Sequence, residues 1–342
     1  MTDVLARPGV AGARGVAARG TAFVFPGQGS QYPGMARDLT ACGPAARDLV
    51  GDAGQVTGLD LTALMSGADA TTIADPRIAQ LLVFVSASVM LAELRERGRE
   101  PAVVAGHSLG EYTALVACGS LDWHDALALV AFRGTAMADA ARQREGTMGA
   151  VVGLDLARVD ELCRTAAART RGVAVIANVN SARQVVVSGT TDAVLAVLDA
   201  ATAAGALRAR RIPVGGAYHS PLMDAAKRRL TPLLQRVPLR PPRIPFVSSV
   251  TGAPVTDIEV YRVHLLAQVT RPVRWYEVVR RLATLLPGRG REYVEVGPGR
   301  VLAGLGRETL RDARHIGALE AIRGLSRPPA LAGSDAPSGR RS

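Results

Sequence analysis

Short runs of small and β-branched residues alternate with longer stretches of helical periodicity along most of this chain. The run TAFVF (21–25) leads into a glycine-rich loop, PGQGSQ, and helical segments follow to about residue 97. A second run, PAVVA (101–105), is followed by a turn and the helical pattern LGEYTALVACG. Strands separated by helices predict a parallel α/β sheet. The most apolar stretch, AQLLVFVSASVMLAEL (79–94), is too short and too interrupted by serine to span a bilayer, so a buried helix is expected. From 147 to 214 the texture changes. TMGAVVGL, VAVIANVN, QVVVSG and LRARRIPV read as strands, with LARVDELCRTAAART and TDAVLAVLDAATAAG as helices, in the order β-α-β-β-α-β of a ferredoxin-like unit. IPFVSSVTG and REYVEVGPG then resume the α/β texture. The expected organisation is a discontinuous large domain (21–134 and 213–324) interrupted by a small ferredoxin-like domain (135–212). A cleft between them would suit a ligand. The ends, 1–20 and 325–342, lack periodicity and are expected to be disordered.

The junction after PAVVA reads Gly-His-Ser-Leu-Gly (106–110). One serine between two glycines, where a strand meets a helix, is the pattern of a nucleophile elbow, as in α/β-hydrolase-like domains. A serine hydroxyl needs a base. Of the five histidines, His107 is next to Ser108, and adjacent side chains in an elbow point apart. His219, in GGAYHSPLM where the inserted unit returns to the large domain, is favoured over His124, His264 and His315. A polar loop histidine with no catalytic part is the other reading of His219.

Composition adds less. The net charge is +11, and only one of the 41 basic residues is a lysine, which marks genome composition rather than function. Each end carries two units of that charge, leaving +7 on the body, enough to steer an acidic partner. No basic stretch is interleaved with aromatics, so nucleic acid is not the expected partner. Cys42, Cys118 and Cys163 form neither a metal spacing nor a disulfide framework. The N-terminus lacks the apolar core of a signal peptide, and a cytoplasmic protein is expected.

Seven segments resemble, in order, the malonyl-CoA:acyl carrier protein transacylase family, which includes discrete and embedded polyketide-synthase acyltransferases. They are FVFPGQGSQYPGM (23–35), GHSLGEY (106–112), FRGTAM (132–137), NVNSARQVVVSG (178–189), GAYHSPLM (216–223), QVTRPVRW (268–275) and VEVGPGRVLAGL (294–305), together spanning about 280 residues. The resemblance implies that Ser108 takes an acyl group from a coenzyme A thioester and that His219 is its base. It implies that a main-chain carbonyl in the segment of Gln268 orients the histidine, so that a dyad suffices. The backbone N–H groups of Gln28 and Leu109 would form the oxyanion hole. Arg133, with Met137 beyond it, would bind the free carboxylate of a malonyl group, a task that suits the guanidinium fork.

Leu109 resembles the malonyl-type pattern, whereas Tyr218 departs from both the Phe of malonyl and the Ser of methylmalonyl relatives. Its ring would crowd an α-methyl, and its hydroxyl would meet a polar substituent, so a substituted malonyl stays open. Gln80 and Gln184 resemble pocket-lining positions. The second substrate implied is the phosphopantetheine thiol of an acyl carrier protein, with Arg208, Arg210, Arg211, Lys227, Arg228 and Arg229 as candidate contacts. Neither cofactor nor metal is expected, and a trans-acting monomer is. The alternative is an acyl-carrier hydrolase, or a carrier-to-carrier acyltransferase, on the same serine and histidine.

Overall fold

The computed structural model describes residues 20–286, 288 and 290–325, and its ten strands form two sheets. In chain order they are β1 (Thr21–Phe25), β2 (Val103–Gly106), β3 (Thr147–Val152), β4 (Ala174–Ser181), β5 (Gln184–Gly189), β6 (Arg208–Ile212), β7 (Phe246–Val247), β8 (Pro254–Val255), β9 (Glu292–Glu295) and β10 (Arg314–Gly317).

The larger sheet runs β10-β9-β1-β2-β7-β8, parallel throughout except for the β7–β8 edge pair. All five residues of β1 and all four of β2 are buried. A parallel strand covered on both faces must be apolar on both, which is why these segments read as unbroken hydrophobic runs. Alternate residues serve opposite layers. Phe23, Phe25 and Val104 join the core under helix Pro76–Glu96, whereas Ala22, Val24, Val103 and Ala105 pack with Trp275, Val278 and Val279 of helix Trp275–Leu285. Helix Pro76–Glu96 is long and apolar enough to cross a membrane, but 89% of its most apolar window is buried inside the fold. An all-round hydrophobic surface here marks a core helix.

The smaller sheet runs β4-β5-β3-β6 with every pair antiparallel, and helices Leu156–Thr170 and Thr191–Ala203 complete the β-α-β-β-α-β unit. Two main-chain hydrogen bonds fasten it to the larger part: Val179 N–H to the carbonyl of Val273 at 2.8 Å, and Val273 N–H to that of Ala177 at 2.9 Å.

One expectation needs correction. The expected boundary between 134 and 135 cuts helix Trp123–Gln143, whose period runs on unbroken; the change to strand comes only at Thr147. The ends expected to be disordered lie outside the described residues, save for Gly20 and Leu325. Those two are held: the Gly20 carbonyl accepts from Glu292 N–H at 2.7 Å, and that of Leu325 from Arg97 at 2.7 Å.

Candidate active site

The elbow is built by close approach of backbones. A Cβ on Gly106 would stand 2.1 Å from the Glu111 nitrogen, and one on Gly110 2.0 Å from the Phe25 carbonyl oxygen, so neither position accepts a side chain. Between them Ser108 adopts φ +52°, in the left-handed region that non-glycine residues seldom occupy. His219 does the same at φ +57°. Such strain costs about 1–3 kcal/mol per residue and gathers at working sites. It places the Ser108 Oγ 2.9 Å from His219 Nε2.

His219 Nδ1 lies 2.8 Å from the main-chain carbonyl of Gln268. A carbonyl only accepts, so Nδ1 carries the proton and Nε2 offers its lone pair to the serine hydroxyl. Burial, and then the charge of Arg133, pushes the His219 pKa down to about 3, so the ring is neutral at ordinary pH. His107 turns away from the serine: its Nε2 meets Asn180 Oδ1 at 3.2 Å, and burial lowers its pKa to about 4.

Arg133, on helix Trp123–Gln143, is 1% exposed. Its Nη1 donates to Gln80 Oε1 at 2.7 Å, and Nη2 donates to Ser108 Oγ and to Gln268 Oε1, both at 3.1 Å. The guanidinium carbon sits 5.8 Å from the centroid of the Tyr112 ring. Burial lowers its pKa, yet a guanidinium remains cationic. Among the described residues no carboxylate hydrogen-bonds to it, so the charge is buried against neutral acceptors alone. The Gln268 side chain in turn donates from Nε2 to the Ser108 carbonyl at 2.9 Å and to the Glu111 carboxylate. Glu111 also accepts from Ser249 N–H at 2.6 Å, and burial raises its pKa to about 7.

These groups open onto a cavity of about 440 Å³ between the two sheets. Gln28 of the glycine loop, Ser108, Arg133, Met137, Tyr218 and His219 line one side, and Asn178, Asn180 and Val186 of the small sheet the other. The Tyr218 hydroxyl is buried beside the Gln28 side chain, with no hydrogen bond of good geometry among the described residues, and burial raises its pKa to about 12. Leu109 stands at the start of helix Gly110–Ala117 with its side chain buried.

Gln80 and Gln184 do not line this cavity. Gln80 lies behind it, gripping Arg133 and donating to Met137 Sδ at 3.6 Å. Gln184 begins β5 opposite Val152 and Ser181, at the far end of the strand, and Val186, two residues on along the same face, takes the cavity position instead. Of the candidate carrier contacts, Arg208, Arg210 and Arg211 are exposed on the edge strand β6, whose end at Ile212 reaches the cavity. Arg228 is exposed and Lys227 lines a separate groove behind His219. Arg229 is engaged by Asp139 and lies over the Phe132 ring, so it is a poorer contact than its neighbours. Sequence reasoning assigned nothing to Glu111, Asn178, Asn180 or Ser249. The first three fall inside motifs already quoted, which was the available signal.

A serine hydroxyl hydrogen-bonded to a neutral histidine that a main-chain carbonyl orients, with a buried cation beside it, is an arrangement suited to acyl transfer. The chain belongs to the acyl transferase domain family, whose match spans residues 22–328. It is 38% identical over 287 residues to the malonyl CoA-acyl carrier protein transacylase of Escherichia coli K12, covering 83% of this chain and 91% of that protein. It is also 38% identical over 290 residues to the polyketide biosynthesis protein ThaF of Burkholderia thailandensis, covering 84% of this chain but 24% of that longer protein. Among solved structures, the malonyl CoA-acyl carrier protein transacylase of Coxiella burnetii superposes with a TM-score of 0.84 at 33% identity, over 90% of this chain and 98% of that one. A malonyl-transacylase solved in complex with its type II polyketide-synthase acyl-carrier protein superposes with a TM-score of 0.83 at 33% identity, over 89% and 98%.

Proposed function

We propose that the protein transfers malonyl from coenzyme A to the phosphopantetheine thiol of an acyl carrier protein, by a ping-pong route through an ester on Ser108. As Oγ attacks the thioester carbonyl, His219 Nε2 takes its proton. The tetrahedral oxyanion faces the N–H groups of Gln28 and Leu109, the latter at a helix N-terminus where the dipole favours negative charge. Collapse expels the coenzyme A thiolate, which His219 protonates. The carrier thiol then gives its proton to His219, attacks the ester, and Ser108 leaves with that proton. The acyl group arrives already activated as a thioester, so the chemistry calls on no cofactor.

The observation that carries the reading is Arg133: a buried guanidinium with no carboxylate hydrogen-bonded to it among the described residues, lining the cavity and 3.1 Å from the Ser108 hydroxyl. A cation so placed favours an acyl group that brings its own carboxylate. It also disfavours simple monoacyl substrates, which would leave the charge uncompensated. The exposed arginines of β6, leading to the cavity, suit an acidic carrier. The Tyr218 hydroxyl, buried in the cavity wall, supports a second reading of the substrate, a malonyl with a polar α-substituent. We place the enzyme in the cytoplasm as a trans-acting monomer.

The test is intact-protein mass after incubation with malonyl-, methylmalonyl-, ethylmalonyl- or acetyl-CoA. A malonyl adduct that Ser108→Ala abolishes, with little acetyl adduct, is expected. Preferential loading of a branched ester would move the substrate to a substituted malonyl, and no adduct from any ester would overturn the transferase reading.

A further inference from the structure

Glu111 sits in the first turn of the helix that follows the elbow and is 1% exposed. Both its oxygens are committed, one to Ser249 N–H at 2.6 Å and the other to Gln268 Nε2. We propose that Glu111 is a positioning residue: acting through Gln268, it fixes which way that side-chain amide faces and so holds Arg133 ready for the substrate's carboxylate. This rests on the reading that Arg133 receives a carboxylate.

A side-chain amide has a donor end and an acceptor end, whereas an ionised carboxylate only accepts and a guanidinium only donates. With Glu111 on one side and Arg133 on the other, one orientation of Gln268 satisfies both. The flipped amide would set oxygen against carboxylate and NH₂ against guanidinium. The observed orientation also gives Nε2 a second acceptor, the Ser108 carbonyl at 2.9 Å, and leaves Oε1 3.1 Å from Arg133 Nη2. The main-chain carbonyl of the same glutamine holds His219 Nδ1 at 2.8 Å. Glu111 thereby supplies a negative charge one amide away from the buried cation without occupying any of its donors. A direct ion pair would compensate the charge equally well but would compete with the substrate for the fork.

The test is a double-mutant cycle at pH 8, where Glu111 is ionised. Loading kinetics with malonyl-CoA and acetyl-CoA are measured for wild type, Glu111→Gln, Gln268→Ala and the double variant. Glu111→Gln is expected to lower malonyl loading by roughly tenfold or more, chiefly through KM, and acetyl loading by no more than about threefold. In the Gln268→Ala background the same change should have almost no further effect, because contacting residues couple and independent ones do not. Equal losses for the two esters, or an effect undiminished when Gln268 is alanine, would overturn the proposal. Should thermal unfolding show that Glu111→Gln does not fold, Glu111→Asp retains the carboxylate but withdraws it by one methylene. It should give a smaller loss, still selective for malonyl; an unselective loss would again overturn the proposal. A wild type that loads no malonyl would instead fail the acyl-transfer reading itself, and the role of Glu111 with it.

Discussion

Replacing Arg133 by alanine tests the substrate assignment with a magnitude that the geometry supplies. A hydrogen bond to a charged group is worth about 1.5–3 kcal/mol, and a guanidinium fork makes two to a carboxylate. Losing both would cost about 3–6 kcal/mol of transition-state binding, a fall of roughly 10²- to 10⁴-fold in kcat/KM for malonyl-CoA. Acetyl-CoA has no carboxylate to lose. Its loading should lose only the donor to Ser108 Oγ at 3.1 Å, a loss that malonyl loading shares and that therefore cancels in the ratio. The ratio of malonyl to acetyl loading should therefore drop by roughly 10²-fold or more and can invert. The fold should survive, because the variant also removes a buried charge. The freed Gln80 and Gln268 oxygens would face the space the guanidinium leaves, which opens onto the cavity that Arg133 lines, so water can reach them. The assay is the rate of adduct formation with each ester, beside a thermal unfolding curve. A malonyl-to-acetyl ratio that stays constant while both rates fall would refute the reasoning.

Three further outcomes follow from other parts of the structure. His219 has its pKa lowered from 6.5 to about 3, first by burial and then by Arg133, so it is a neutral base wherever an ordinary histidine would already be protonated. Acetyl loading in wild type should thus show no histidine limb near pH 6.5, and in Arg133→Ala the limb should move upward; a wild-type limb at 6.5 would contradict this. Gly110→Ala places a methyl 2.0 Å from the Phe25 oxygen, and should cost about 3 kcal/mol or more of stability together with loss of adduct formation, read from unfolding and mass. Charge reversal at Arg208 and Arg210 should raise KM for the carrier protein and flatten its salt dependence while leaving loading from malonyl-CoA unchanged; unchanged carrier kinetics would remove β6 from the docking surface.

The parts of the site that were legible in the sequence are those set by local geometry. The elbow could be read because a strand, a glycine-flanked serine and a helix follow one another directly, although Gly106 alone is demanded by a neighbour in the chain and Gly110 by the distant Phe25 carbonyl; the buried strands could be read because a parallel sheet makes its strands uniformly apolar. Gln268 was placed through its segment's resemblance, but no pattern along the chain hinted that its side chain bridges Ser108, Glu111 and Arg133. Those partners lie 135 to 160 residues away, and only the packed fold brings them together. Gln184 failed for a related reason: it pairs with Val152 and Ser181 at the start of β5, and Val186 on the same face is the residue that reaches the cavity, a placement that only the packed sheet reveals. The boundary near 135 was misplaced because the helix carrying Arg133 continues past it with no change of period.

In the proposed mechanism the acyl group rests on Ser108 and passes to a carrier thiol. A single-turnover experiment follows both halves: load the enzyme with malonyl-CoA, remove the excess ester, add a phosphopantetheinylated acyl carrier protein, and follow both proteins by intact mass. The malonyl increment should leave the enzyme and appear on the carrier much faster than it is lost to water, and Ser108→Ala should never carry it. An adduct that decays at the same rate with and without carrier, or one that persists in the serine variant, would rule out a Ser108 ester that hands malonyl to the carrier.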